Sequence, residues 1–252
     1  MKKSRYTSIE EEHHPEAIRR RLHAPNKVQT VPDAILGGID GCVTTFAVVS
    51  GAFGAGFSAS VALVLGFANL LADGFSMAVS NYESIQAQQE HIDGVRESER
   101  RHIEQVPEGE REEVRQIFRQ KGFDGDMLER VVDIISQDPT VWVDTMLTEE
   151  HGLQTQALSP LRSAATTFAA FLIVGMMPLL PYTLAALSAT QQFLASLTVA
   201  ALMFFLIGML KSVVYHQPVV QSGLRTLLMG GAASGLAFAT GYLAHAWFGV
   251  GI

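Results

Sequence analysis

Long apolar runs alternate with two strongly charged segments along this chain. Positions 34–82 contain only two charged residues, Asp40 and Asp73, and positions 163–210 and 226–252 contain none. A helix of about 20 apolar residues is long enough to cross the hydrocarbon core of a bilayer. The pattern therefore predicts five transmembrane helices, over residues 34–55, 59–82, 163–186, 192–211 and 226–247.

The charged segment between the second and third predicted spans has apolar residues at helical spacing. Pro107 and Pro139 stand where helices are expected to begin, and Asp138 is a suitable cap before the second of them. We predict a small domain of three or four helices. Its first helix, from Tyr82 to about Gln105, is expected to continue the second span out of the membrane.

These elements predict an all-α membrane protein with five transmembrane helices and an inserted cytoplasmic helical domain, for which metal binding is argued below from its ligand pairs. Its parts are a polar leader (1–32), two membrane helices (33–82), an acidic insert (83–160) and three further membrane helices (161–252). The leader does not have the pattern of a cleaved signal peptide, so we expect it to be solvated or to lie on a surface.

Lys and Arg residues near the predicted spans all lie on one side of the membrane if the N-terminus is cytoplasmic. Such residues are enriched in cytoplasmic loops. The chain is therefore predicted to have its N-terminus inside and its C-terminus outside. The residues counted are Arg19, Arg20, Arg21, Lys27, the eight basic residues of the acidic insert, Arg162, Lys211 and Arg225.

Composition and charge support this interpretation. The chain is 48% hydrophobic and 17% charged, whereas soluble domains are about a quarter charged. The net charge of −7 argues against nucleic acid as a partner, since phosphate binding needs a basic face. The acidic insert accounts for this charge, because it holds 18 acidic and 8 basic residues, a net of −10. A single cysteine, Cys42, excludes an internal disulfide.

Carboxylates at membrane depth are costly and usually functional. Asp33 and Asp40 are two turns apart on the first helix, so they share a face and Asp40 is roughly 10 Å deeper. On the second helix Asn69, Asp73 and Met77 recur at every fourth position. We predict that these five residues line a transport pathway. Oxygen and thioether ligands favour an iron-like divalent metal, and carboxylates could exchange it for protons.

Other interpretations of these residues stay open. Asp40 or Asp73 could cap a helix break near the glycine-rich stretch 37–41, and Met77 could be a packing residue. An intramembrane enzyme would use Asp40 and Asp73 as an acid pair, but the apolar spans hold no Ser and His pair to support it. A metal-responsive membrane scaffold would bind metal in the acidic insert without transporting it.

The acidic insert carries pairs of possible metal ligands three or four residues apart, a spacing that places both on one helix face. We predict that a bound metal holds these faces together, although an acidic face that is only solvated would show the same spacing. The pairs are Glu99 and His102, Glu110 and Glu113, and Met146 and Glu150. The histidines at 91, 151, 216 and 245 lack ligand spacing and are expected to be interfacial or packing residues.

Several stretches are distinctive enough to indicate a family. They are DAILGGIDGCVTTFAVVSG from Asp33 to Gly51, LADGFSMAVSNYES from Leu71 to Ser84, DPTVWVDTMLTEEHGL at the end of the acidic insert, and MMPLLPY from Met176 to Tyr182. Through them the chain resembles the vacuolar iron transporter family from about Pro32 to Phe248. The resemblance implies a homodimer with the pathway at its interface, exporting ferrous iron or manganese from the cytoplasm in exchange for protons.

The resemblance also implies roles for individual residues. Asp40 and Met77 would be transport ligands, and Asp33 a carboxylate at the pathway mouth. Ligands in the acidic insert would be Glu99, Glu110, Glu113, Met146 and Glu150. Three residues depart from the family pattern: His102 and Asn69 each replace a Glu, and Leu147 replaces a possible second Met.

Partners and location follow from these predictions. We expect no prosthetic group and no enzymatic activity. The expected partners are Fe²⁺ or Mn²⁺ as cargo, protons, membrane lipid and a second copy of the chain. The expected location is a bacterial inner membrane.

Overall fold

A computed structural model describes residues 11, 13–22, 30–154, 159–215 and 218–249, and these residues form helices and connections without a strand. Most of the leader, including Lys27, lies outside the described residues. In chain order the helices are α1 (Pro15–Leu22), α2 (Val31–Gly54), α3 (Ala59–Gln105), α4 (Pro107–Gln120), α5 (Gly125–Ser136), α6 (Pro139–Thr145), α7 (Pro160–Met176), α8 (Ala189–Tyr215) and α9 (Val219–Phe248). A π-helical turn, Met146–Glu150, follows α6, and a 3₁₀ helix, Met177–Thr183, follows α7.

Five elements of the described chain are long and apolar enough to cross a membrane: α2, α3, α7 with its 3₁₀ extension, α8 and α9. The prediction of an all-α membrane protein with five spans is confirmed. Helix α3 is 47 residues long and runs without interruption from the second span to Gln105, as predicted. Pro107 and Pro139 begin α4 and α6, and the Asp138 side chain accepts hydrogen bonds from the first amides of α6.

The main differences between the predicted spans and the structure are in the third, fourth and fifth spans. The α-helical part of the third span ends at Met176, because Pro178 and Pro181 cannot donate the backbone bonds of an α-helix and the chain continues as a 3₁₀ helix. The fourth and fifth spans are longer than predicted. Lys211 lies inside α8 and Arg225 inside α9, because long cationic side chains near helix ends do not interrupt a membrane helix.

Helix α2 is the centre of the membrane bundle and packs against α3, α7, α8 and α9. It approaches α7 closely: a Cβ on Gly41 would lie 2.4 Å from the backbone oxygen of Phe171, and one on Gly37 would lie 2.3 Å from that of Thr167. The helix is continuous through both glycines. They therefore allow close packing, and the alternative of an Asp that caps a helix break is wrong for Asp40.

The acidic insert has an apolar core of its own, separate from that of the membrane helices. Buried side chains from α4, α5, α6 and the π-helical turn form this core: Val114, Leu128, Val132, Ile135, Trp142 and Met146. A two-bond ion pair between Arg115 and Glu129, at 2.7 and 2.9 Å, joins α4 to α5 on the surface. This core holds α4 and the π-helical turn beside the part of α3 that continues beyond the second span.

Candidate metal pathway and metal centre

Asp40 and Asp73 lie on the neighbouring helices α2 and α3. Each is half-buried, and their charges are close enough to interact. Met77, one turn further along α3, packs against the apolar core of the membrane helices, so it has the environment of a packing residue beside the two carboxylates. The Nδ2 atom of Asn69 is buried and has no hydrogen-bond partner among the described residues. In the series predicted on α3, the two polar residues Asn69 and Asp73 therefore face the protein interior.

Asp33, at the start of α2, is held by a residue that the sequence analysis did not identify. The side-chain amide of Asn81 donates to Asp33 Oδ1 at 3.0 Å and to Thr167 Oγ1 of α7 at 2.8 Å. Three helices are thus joined at one end of the bundle. Asn81 continues the series of Asn69, Asp73 and Met77 by one more step of four residues, which is the signal that could have identified it.

A second group of polar residues surrounds Glu99 in the acidic insert. Nδ1 of His102 lies 3.8 Å from Glu99 Oε1 and 3.5 Å from Glu110 Oε1. Nε2 of His151 lies 3.2 Å from Glu99 Oε1 and 3.6 Å from Glu150 Oε2. Two sets of three possible ligands, Glu99 with His102 and Glu110, and Glu99 with Glu150 and His151, therefore share one carboxylate.

Burial distinguishes this group from an ordinary acidic surface. Glu99 and Glu110 are only 3% and 5% exposed, and one carboxylate oxygen of each is buried without a hydrogen-bond partner in the described chain. Burial, together with Glu113, Glu99 and Glu150, raises the pKa of Glu110 to about 7. The pKa of Glu150 is raised too, mainly by burial and by Glu113. Buried oxygens that lack partners beside two imidazoles fit a divalent transition metal.

The remaining predicted ligands of the acidic insert lie in different environments. Glu113 is exposed but close enough to act on Glu110 and Glu150. Met146 is fully buried in the apolar core, and its backbone oxygen accepts a hydrogen bond from the His151 amide. Leu147, beside it, is also fully buried.

His151 departs from the expectation that it would be a packing or interfacial residue. The π-helical turn carries Glu150 and His151 to Glu99, which precedes His151 by 52 residues, and helical spacing within the chain could not reveal that contact. His91 is exposed on α3, the His245 ring lies near Gly56, and His216 lies outside the described residues.

Comparison with known proteins agrees with this architecture. The sequence model of the VIT family matches residues 31–242. The chain belongs to the VIT family. Vacuolar iron transporter 1 of Arabidopsis thaliana is 31% identical over 211 residues, covering 83% of this chain and 84% of that protein. Vacuolar iron transporter 1 of Oryza sativa subsp. japonica is 31% identical over 229 residues, covering 90% and 87%.

A third relative gives a similar match within the VIT family. The vacuolar iron transporter of Toxoplasma gondii is 30% identical over 234 residues, covering 88% of this chain and 78% of that protein. These relatives are named as transporters, which confirms the prediction that the chain is not an enzyme. The alternative of an intramembrane enzyme with Asp40 and Asp73 as its acid pair is therefore set aside.

Proposed function

We propose that this protein exports a divalent transition metal, ferrous iron or manganese, from the cytoplasm in exchange for protons. One observation carries the proposal: two carboxylates on adjacent membrane helices, Asp40 and Asp73, lie within interaction distance beside Met77. The names of the relatives support iron as the cargo. Carboxylates of this kind can hold a metal ion or protons, but not both, which couples the two fluxes.

Metal would enter at the end of the bundle where α2 begins. Asp33, fixed by Asn81, is the first carboxylate at that end, and Asp40 follows two turns deeper on the same helix. The one-sided distribution of Lys and Arg supports a cytoplasmic location for this end and for the acidic insert, with a C-terminus outside. A bacterial inner membrane is the membrane we propose.

A homodimer would complete the pathway. In a single chain Asp40 and Asp73 are only half-buried, and a carboxylate that faces hydrocarbon costs several kcal/mol. Next to Asp73 the membrane part of α3 exposes large apolar side chains, including Leu71 and Phe75. A second copy packed on this face would cover both carboxylates and leave the outer faces to lipid.

The acidic insert would bind metal before transport. Its proposed ligands are Glu99, His102, Glu110, Glu150 and His151, with Glu113 adding charge. Met146 enters this centre only if its sulfur leaves the apolar core. Glu99 is 22 residues beyond Met77 on one continuous helix, roughly 33 Å away at 1.5 Å per residue. The insert would therefore concentrate metal near the membrane rather than pass it directly to Met77.

Transport is tested with the full chain in proteoliposomes that enclose a metal indicator and a pH dye. We expect Fe²⁺ or Mn²⁺ uptake together with proton movement in the opposite direction. Asp40→Asn should abolish uptake, whereas Asp126→Asn, an exposed carboxylate of the acidic insert, should leave it unchanged. Intact uptake by Asp40→Asn would overturn the site assignment, and metal binding without uptake by the unaltered protein would indicate the scaffold.

A further inference from the structure

We propose that a groove between α2, α8 and α9 binds one anionic phospholipid, its phosphate on two cations and an acyl chain along α2. The groove has a volume of about 810 Å³. Lys211 and Arg225 line it together with apolar side chains of the first turns of α2, Ile35, Leu36 and Ile39. Cationic and apolar walls in one groove match the two chemically different parts of a phospholipid.

The two cations are unusual in the second half of the chain. Lys211 and Arg225 are the only charged residues from position 163 to the end, and both are exposed. The described residues offer neither side chain an ion pair or a hydrogen bond. Two cations without a protein partner at a membrane face attract anionic headgroups, and basic pockets between membrane helices are recurrent lipid sites.

The helix geometry places both cations at headgroup level. Lys211 lies four residues before the end of α8, and Arg225 lies six residues after the start of α9. At 1.5 Å per residue they are roughly 6 and 9 Å from the helix ends, which long cationic side chains can span to reach the interface.

A close helix crossing keeps the two cations near one another. A Cβ on Gly208 of α8 would lie 2.7 Å from the backbone oxygen of Ser222 and 2.7 Å from Cα of Gly223. Lys211 is about one turn beyond Gly208, and Arg225 is two residues beyond Gly223. Both cations therefore flank a crossing where α8 and α9 touch backbone to backbone.

The groove is separate from the metal pathway. Asp33 and Asp40 face α3, where Asn81 and Asp73 lie. Neither carboxylate lines the groove, and its residues Ile35 and Ile39 lie on the other side of α2. Lipid binding at this groove does not depend on the transport proposal, and it can be measured without any metal.

The test is native mass spectrometry of the full chain in detergent, with titration of palmitoyl-oleoyl phosphatidylglycerol or phosphatidylcholine. We expect tighter binding of phosphatidylglycerol. A surface cation contributes about fivefold in affinity for an anionic lipid, so Lys211→Gln with Arg225→Gln should weaken phosphatidylglycerol binding about 25-fold and leave phosphatidylcholine unchanged. The matched control is Arg162→Gln, an exposed cation at the start of α7, outside the groove, and it should bind like the unaltered chain.

Three outcomes would overturn the proposal. They are unchanged phosphatidylglycerol binding by the double variant, an equal loss in Arg162→Gln, and displacement of the lipid by millimolar inorganic phosphate, which would make the groove a site for a soluble anion. The exchange variant Lys211→Arg with Arg225→Lys keeps both charges and should keep the affinity. If the glutamine variant does not remain monodisperse, this exchange variant still tests the proposal, because it changes both side chains and keeps both charges.

Discussion

The two candidate metal sites both contain carboxylates, but they differ in how deeply these are buried and in how many other acids surround them. The membrane site has two half-buried carboxylates, Asp40 and Asp73, between helices that are otherwise apolar. The centre in the acidic insert has two carboxylates, Glu99 and Glu110, that are almost fully buried in a domain crowded with other acids. In the membrane the cost of a charge limits the number of ligands, whereas in the insert burial and the crowding of like charges together raise the pKa of Glu110.

This difference suggests a division of labour. A centre of several ligands that repel each other when empty gains much from a bound cation, which suits capture. A site with few ligands binds more weakly and releases its cargo more readily, which suits transport. The two sites also differ in construction, since the membrane helices combine an apolar core with close glycine contacts, whereas an apolar core and surface ion pairs hold the insert.

The largest effect should come from a glycine of the membrane site. In Gly41→Leu the new side chain would collide with the Phe171 backbone oxygen, which lies 2.4 Å from the Cβ position, so we expect no folded protein. Gly94→Leu, on the exposed part of α3 where a Cβ meets nothing within 4 Å, should fold and gain up to about 1 kcal/mol of helix propensity. Size-exclusion chromatography and thermal unfolding distinguish the two. A monodisperse Gly41→Leu protein would show that this helix contact is not essential.

Hydrophobic patterning predicted most of the fold because membrane helices must satisfy their own backbone hydrogen bonds. The unbroken α3 followed from periodicity that continues through Tyr82, and the helix starts at Pro107 and Pro139 followed from proline's preference for the first turn. The 3₁₀ segment after Met176 and the inclusion of Arg225 within the last helix were missed. Both depend on local backbone geometry and side-chain reach, which an average of hydropathy does not contain.

Removing a buried carboxylate should separate the functions of the two sites. Glu110→Gln removes one ligand and leaves the shape of the side chain, so we expect metal affinity of the acidic insert to fall at least about tenfold, or ~1.4 kcal/mol. Maximal transport at saturating metal should persist, because Asp40 and Met77 are untouched. Calorimetry of the full chain in detergent and proteoliposome uptake give the two readings. Glu108→Gln, an exposed neighbour on α4, is the matched control, and equal loss of binding in both variants would argue against a specific centre.

The raised pKa of Glu110, about 7, predicts a pH dependence of the metal-free protein. Between pH 4.5 and 7 Glu110 keeps its proton in the folded insert. In the unfolded chain a glutamate has a pKa near 4.5 and has already lost its proton in this range. Stability of the acidic insert should therefore fall as the pH rises from about 5 to 8. Hydrogen exchange of α4 and α5 measures this stability. Glu110→Gln should flatten the dependence, and an unaltered slope in that variant would assign it to other groups.

Sequence spacing predicted part of the candidate metal centre and missed the rest for a physical reason. Glu99 with His102 and Glu110 with Glu113 lie on single helices, where a spacing of three residues implies proximity. His151 and Asn81 contact Glu99 and Asp33, which are 52 and 48 residues away. Such contacts depend on tertiary packing, and spacing along one helix does not report it. Met146 had suitable spacing to Glu150, but its burial in the apolar core follows from packing that spacing could not reveal.

His151 should affect the choice of metal more than the overall affinity. Imidazole favours Zn²⁺ and Co²⁺ over Mn²⁺, which prefers oxygen ligands. His151→Leu should therefore weaken Zn²⁺ and Co²⁺ binding to the acidic insert about tenfold and Mn²⁺ binding by less, as measured by competition calorimetry. His91→Leu, an exposed histidine on the same long helix as Glu99, is the control. An equal loss for all three metals would show that His151 contributes position or charge and not a nitrogen ligand.

The smallest effect concerns the mouth of the membrane site. Asn81→Ala removes the donor that holds Asp33, and a hydrogen bond of this kind contributes about 1 kcal/mol. We expect the metal concentration for half-maximal uptake to rise about fivefold, with little change in the maximal rate. If Asn81 functions through Asp33, the substitution should have no further effect in an Asp33→Asn background, which a double-mutant cycle measures. Additive losses would instead assign the role of Asn81 to its second bond, to Thr167 of α7, and so to the packing of the helices and not to the position of the carboxylate.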